Sequence, residues 1–226
     1  MKFKSLNRFT LATATCALLS AGVLTTQAGD SPFGGLGAAV ADAGKTSLAS
    51  LGTQFTKTAS ASSDKVLGSL GGDLVSKFTA LDQSLGMGSA LKSQLTGSLQ
   101  SLLAGKDSAA LGTAFGLSQF AGLTATQKDL AKEAGNLATA FVVQRNFASL
   151  DGASGDVATV VNSLRKGELV TAVPAIQKIS QNASLTAPQK ALIGSIADKY
   201  APGLRKTKDA LQQGLQGVKS LPGFGN

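Results

Sequence analysis

Histidine and tryptophan are absent from this chain, and cysteine and tyrosine occur once each. Without histidine, Ser–His–Asp and Cys–His nucleophile systems are impossible, and the side chain that most often moves protons near neutral pH is missing. The familiar zinc sites draw on histidine or cysteine, so no metal is expected. Glutamate is scarce as well. Glu133 and Glu168 are the only two, and the eleven aspartates stand singly, with no D-x-D-x-D-G run for calcium. No spacing of carboxylates suggests glycoside cleavage. Ala104-Gly105-Lys106-Asp107 has a Gly-Lys pair but neither the upstream glycine nor the following hydroxyl of a phosphate-binding loop. Ser76-Lys77 and the S-x-x-K pair Ser163–Lys166 leave Ser–Lys chemistry formally open, but the second also reads as a helix C-terminus closed by cations. The chain is therefore expected to be no enzyme and to carry no cofactor.

Aromatic residues are few: ten Phe and Tyr200. That leaves few stacking platforms, and no nucleic-acid partner is expected. β-Branched residues are also sparse beside Ala and Leu, which are good helix formers. The fold class that follows is all-α, a bundle of about seven or eight amphipathic helices.

The first 28 residues read as a secretory signal peptide. Lys2, Lys4 and Arg8 precede an uncharged stretch from Phe9 to Leu24, and Thr26-Gln27-Ala28 offers small residues at −3 and −1 of a cut before Gly29. The apolar stretch is shorter than the roughly 20 residues that span a bilayer. Cys16 lies in a poor lipobox, with Thr13 and Thr15 at positions that want Leu-like and small residues. Cleavage removes Cys16, so the exported protein, periplasmic or extracellular, must be held together by packing without disulfides.

Beyond the leader, two regions are expected. Residues 29–118 carry fifteen Gly and fifteen Ser, with six Lys balanced by six Asp. The segment from Asp30 to Gly37 reads as flexible, and the helices here as looser. Leu67, Leu70, Leu74, Phe78, Leu81 and Leu85 follow one another at gaps of three or four, a candidate helix-packing face with Asp64 as its N-cap. Leu91, Leu95, Leu99 and Leu102 repeat the pattern. Gly68/Gly72 and Gly112/Gly116 have the G-x-x-x-G spacing that permits close helix approach. Ser108 to Gln127 is free of charge but too polar for a membrane span, which leaves a buried helix followed by a loop.

Residues 119–226 are expected to form the compact helical domain. Leu123-Thr124-Ala125-Thr126-Gln127-Lys128-Asp129-Leu130 matches Leu185 to Leu192 at six of eight positions, 62 residues apart. Each is a helix start in which Thr at N-cap and Gln at N3 form a capping box. The predicted inward face of the first helix is Leu130, Ala134, Leu137, Ala138, Phe141 and Val142. After a loop at 151–155, Asp156 is read as the cap of a helix through Val157, Val160, Val161 and Leu164, stopped by Gly167. The next helix either kinks at Pro174 or begins near it. A last amphipathic helix is expected over Leu204 to Val218. Leu164, Gly167, Ala172, Ile176 and Ile179 fall near the small and apolar positions of a tetratricopeptide unit. The aromatic and Leu-Gly positions are lacking and the recurrence is 62 rather than 34, so no family is assigned.

This second region holds twelve Lys/Arg against seven Asp/Glu. Such asymmetry suits an anionic membrane or polysaccharide surface, with Arg205, Lys206, Lys208 and Lys219 as the candidate contacts. It is also an ordinary solubility surplus, since no basic run exceeds two residues. The expected role is structural, or protein interaction with an unknown partner or by self-association; the alternative is a peripheral binder of anionic surfaces. Asn182-Ala183-Ser184 is a glycosylation sequon, informative only in a eukaryotic secretory host.

Overall fold

The structure is a computed structural model that describes residues 47–86 and 90–202. The leader, the Gly/Pro segment at 30–37, the predicted helix at 204–218 and the basic contacts Arg205, Lys206, Lys208 and Lys219 lie outside the described residues.

The described chain is all-helical. In order it forms α1 (Leu48–Ala61), α2 (Lys65–Ser84), α3 (Ala90–Leu103), α4 (Asp107–Leu117), α5 (Ala125–Phe147), α6 (Ser154–Lys166), α7 (Leu169–Ser180) and α8 (Ala187–Tyr200). The starts and stops follow local chemistry. Asp64 Oδ1 accepts from the Val66 and Leu67 amides at 2.8 and 3.4 Å and caps α2, as expected. Thr124 and Thr186 each form a complete capping box with the glutamine three residues on. Pro188 sits in the first turn of α8, where its missing donor loses nothing.

Several boundaries differ from the sequence reading. α6 begins at Ser154, so Asp156 lies in its first turn rather than at its cap, where it reaches Lys178 of α7 at 3.7 Å. α7 begins at Leu169 and continues through Pro174, so the helix does not start at the proline. The bond that proline cannot donate would go to the carbonyl of Val170, a residue 90% exposed. α1 was not expected at all, because its Ser, Thr and Gly content hides a stripe of only Leu51, Phe55 and Ala59.

One hydrophobic core takes in residues of every helix, from Leu51 to Ile196. Leu67, Leu70, Leu74, Phe78 and Leu81 are buried in it and Leu85 packs half-buried against it. Full burial of each such side chain stabilises by roughly 1.5–3 kcal/mol. α5 is the axis of the assembly: α2, α4, α6 and α8 all pack on it, and every residue from Leu137 to Val143 is buried. A helix covered on all sides shows no clean stripe, which is why its inward face is wider than the one predicted. Leu130, placed on that face, is half-buried.

The G-x-x-x-G pairs do not mark the close helix approaches. A Cβ on Gly72 or Gly112 would meet open space, on Gly68 would make ordinary contact with Ser60, and on Gly116 would only graze Gln94. The tight positions are Gly71, where a Cβ would come 2.6 Å from Ala59 Cβ of α1, Gly52, where it would come 2.8 Å from Val75 Cγ1 of α2, and Gly135, where it would come 3.3 Å from the Ala114 carbonyl of α4.

The octapeptide recurrence extends through a whole supersecondary unit. Thirteen of the thirty residues from Ser101 to Leu130 recur 62 positions later. α3–α4 and α6–α7 are joined by the same turn. Gly105 and Gly167 have φ of 69° and 73°, a left-handed conformation that favours glycine. Their amides bond the carbonyls of Leu102 and Leu164, both at 3.2 Å, while those of Lys106 and Glu168 bond Ser101 and Ser163, both at 2.8 Å. These are two copies of one helix-stop motif. The next junction repeats as well: Gln127 Nε2 donates to the Ser84 carbonyl at 2.6 Å, and Gln189 Nε2 to the Asn146 carbonyl at 2.8 Å. Each capping glutamine thus pins the start of one helix to the end of an earlier one.

Candidate functional site

Two places concentrate polar chemistry, and neither was visible in the sequence. The first is the last turn of α5, where Gln144, Arg145 and Asn146 tie four helices together. Gln144 Nε2 donates to Asp64 at 2.7 Å, at the start of α2. Arg145 donates to the Leu102 carbonyl at 2.8 Å and pairs with Asp107, in the first turn of α4. Asn146 Nδ2 donates to the same aspartate at 2.7 Å, and the Asn146 carbonyl accepts from Gln189. The side chains of Arg145 and Asp107 are only 9% and 11% exposed. Burial pulls the Arg145 guanidinium down to about 10, still far above neutrality, so it stays charged at pH 7. The guanidinium also stands over the Phe141 ring at 5.1 Å. The cluster fastens the ends of these helices to one another.

The second place is a cleft of about 530 Å³ between α4, α5, the α6–α7 turn and the end of α8. Its floor is small because Ala114, Ala131 and Gly135 face one another where α4 and α5 approach most closely. Phe115 and Tyr200 meet edge to face, with centroids 6.1 Å apart, and form one wall; Leu169 forms part of the opposite lip. Deep in the cleft, Tyr200 Oη donates to Asn136 Oδ1 at 3.0 Å and lies 3.1 Å from Thr139 Oγ1. Burial of the phenol raises Tyr200 to about 12, so it is a neutral donor at any physiological pH.

The charges around the mouth are mostly spent on one another. Lys132 pairs with Asp129 at 3.4 Å, and Glu133 with Lys77 of α2 at 2.5 Å. Lys199 differs. Its Nζ lies 5.3 Å from the Phe115 centroid and 3.5 Å from the Phe115 carbonyl, and no carboxylate among the described residues comes within 4.0 Å of it. No family model, curated protein or solved structure matches this chain. The site is therefore argued from its own geometry.

The residues singled out in the sequence fall elsewhere. The stripe from Leu67 to Leu85 closes on the protein's own core and offers no face to a partner. Ser163 is buried on the inner side of α6 whereas Lys166 is exposed, and Lys77 is engaged with Glu133. Asn182 Nδ2, the atom a glycan would take, donates to the Asp151 carbonyl at 2.9 Å. Among the described residues no helix is long and apolar enough to cross a membrane; the uncharged stretch from Ser108 is α4 followed by a turn and the start of α5. No three metal-ligating side chains gather among the described residues either.

Proposed function

We propose that this chain is an exported, non-enzymatic helical module of the cell envelope or exterior, whose work is binding. The observation that carries the reading is the placing of exposed apolar surface. Among the described residues the amphipathic stripes are taken up by one core, yet Leu169 and Val170, 39% and 90% exposed, stand together at the α6–α7 turn, where Leu169 lines the cleft. An apolar tip beside a concavity with a few convergent polar groups is the form that recognition sites take. Site-directed photo-crosslinking from position 170 in the producing cell tests this, with exposed Ser195 on α8 as the reference position. A discrete adduct at 170 that is absent at 195 supports the tip as the contact, whether the partner is another protein or a second copy. Equal labelling at both positions rejects it. N-terminal sequencing of the exported protein, with Gly29 as the expected first residue, tests the leader.

A second reading is peripheral binding to anionic membrane or polysaccharide through Arg205, Lys206, Lys208 and Lys219, supported by the excess of twelve basic over seven acidic residues in 119–226. Flotation with anionic and neutral vesicles separates the two. Attraction of this kind is screened over about 8–10 Å at physiological salt. Binding to anionic vesicles alone, lost on raising salt, favours the surface reading; no flotation favours the tip.

A further inference from the structure

We infer that the cleft between α4, α5 and α8 is a binding site for a small organic anion with an apolar body, a carboxylate attached to a ring or short chain. The inference rests on the binding reading above and names the ligand class.

Three observations converge on this class. Lys199 is a cation at the cleft with no acid partner among the described residues, held over the Phe115 ring and its carbonyl. The other charged groups at the mouth are paired within the protein, so an incoming anion meets one uncompensated positive charge. Asn136 lines the cleft and spends its Oδ1 on Tyr200, while no bond from its Nδ2 occurs among the described residues. An ammonium and an amide that converge on one cavity form a donor pair suited to a carboxylate. The third observation is the wall. The Phe115–Tyr200 pair, Ala114 and Leu169 offer apolar surface on both sides of the donors, and 530 Å³ accommodates a bicyclic ring with room for water. A cation is repelled by Lys199, a neutral acceptor gains a hydrogen bond from it without the attraction of opposite charge, and a purely apolar molecule leaves the Asn136 Nδ2 donors unmatched.

The test is titration of the full chain with three probes of one shape: 1-naphthoate, 1-naphthylmethanol and 1-naphthylmethylammonium, followed by calorimetry or ligand-observed NMR. Naphthoate is expected to bind at least about tenfold more tightly than the alcohol, and the ammonium probe not at all, since one charge-assisted hydrogen bond is worth about a factor of ten or more. Lys199→Gln is expected to bring naphthoate down to the level of the alcohol. Lys190→Gln, an exposed lysine on the same helix that does not line the cleft, is expected to change nothing. Leu169→Ser is expected to weaken naphthoate and the alcohol alike, with helical circular dichroism unchanged. Equal affinity for naphthoate and the alcohol overturns the proposal, as does naphthoate binding that survives Lys199→Gln. If position 170 crosslinks to a partner while naphthoate fails to bind, the ligand assignment falls and the binding reading stands. If neither occurs, both fall.

Discussion

Gly71 and Gly72 are neighbours on α2 with opposite surroundings, and replacing each in turn by alanine separates packing from propensity. At Gly72 the new methyl would meet open space, so the change acts only through the backbone entropy glycine loses in a helix. Gly72→Ala is expected to stabilise by about 1 kcal/mol. At Gly71 the same gain applies, but the methyl would sit 2.6 Å from Ala59 Cβ. Ala59 has no rotamer to turn aside, so α1 as a whole must move away from α2, and Phe55, 3.5 Å from the same point, must follow. Overpacking of this kind costs about 1–3 kcal/mol. The two variants should therefore differ by about 1–3 kcal/mol, or about 2–12 °C in Tm at roughly 2–4 °C per kcal/mol for a chain of this size. Thermal and urea melts followed at 222 nm would measure it. A Gly71→Ala protein that melts at or above Gly72→Ala would refute the α1–α2 contact and the reasoning from it.

The buried Arg145–Asp107 pair predicts a steep single-variant penalty. Asp107→Asn leaves a buried guanidinium uncompensated and should cost about 3–5 kcal/mol in urea unfolding, whereas Asp107→Asn with Arg145→Met should recover a large part of it. The two capping glutamines occupy matching junctions, so Gln127→Ala and Gln189→Ala should each cost about 1–2 kcal/mol, and the two costs should agree within about 0.5 kcal/mol. Tyr200 is the only tyrosine in a chain without tryptophan, so absorbance at 295 nm titrates it alone. Its midpoint should lie near pH 12 in the fold and near 10 in urea. Both states keep the phenol proton below pH 10, and only the fold keeps it above, so this group's contribution is intact below pH 10 and is lost as pH rises toward 12. A native midpoint at 10 would place the phenol in water and contradict its bonds to Asn136 and Thr139.

What could be read from the sequence was whatever depends on near neighbours. The Thr-x-x-Gln boxes, the Asp64 cap, the Gly167 stop and the leucine stripe of α2 each draw on residues within a turn or two, and each appears in the structure as read. α1 escaped because Leu51, Phe55 and Ala59 become a stripe only when Gly71 lets α2 come close enough to cover them. Arg145 and Asp107 are 38 positions apart and stand out in neither local pattern. The cleft depends on Lys199 and Tyr200 reaching Phe115 and Asn136 from the far end of the described chain, a juxtaposition that no spacing encodes. The 62-residue recurrence extends in the sequence well beyond the octapeptide. Ser101, Leu102, Gly105 and Ala110 already match their counterparts, but conservative changes such as Leu117 to Ile179 hid the continuity until matching hydrogen bonds aligned the two hairpins.

A hairpin and a following helix start that recur in register give this chain the same joint twice. Splicing Gly122 directly to Leu185 would excise 62 residues and still hand α4 the same threonine–glutamine start for its next helix. Splicing Ser184 back to Leu123 would add a unit with the same seam. Two near-identical octapeptides thus make the continuations of α4 and α7 interchangeable at the joint, while the 62 residues between them carry α5, which the rest of the core cannot give up.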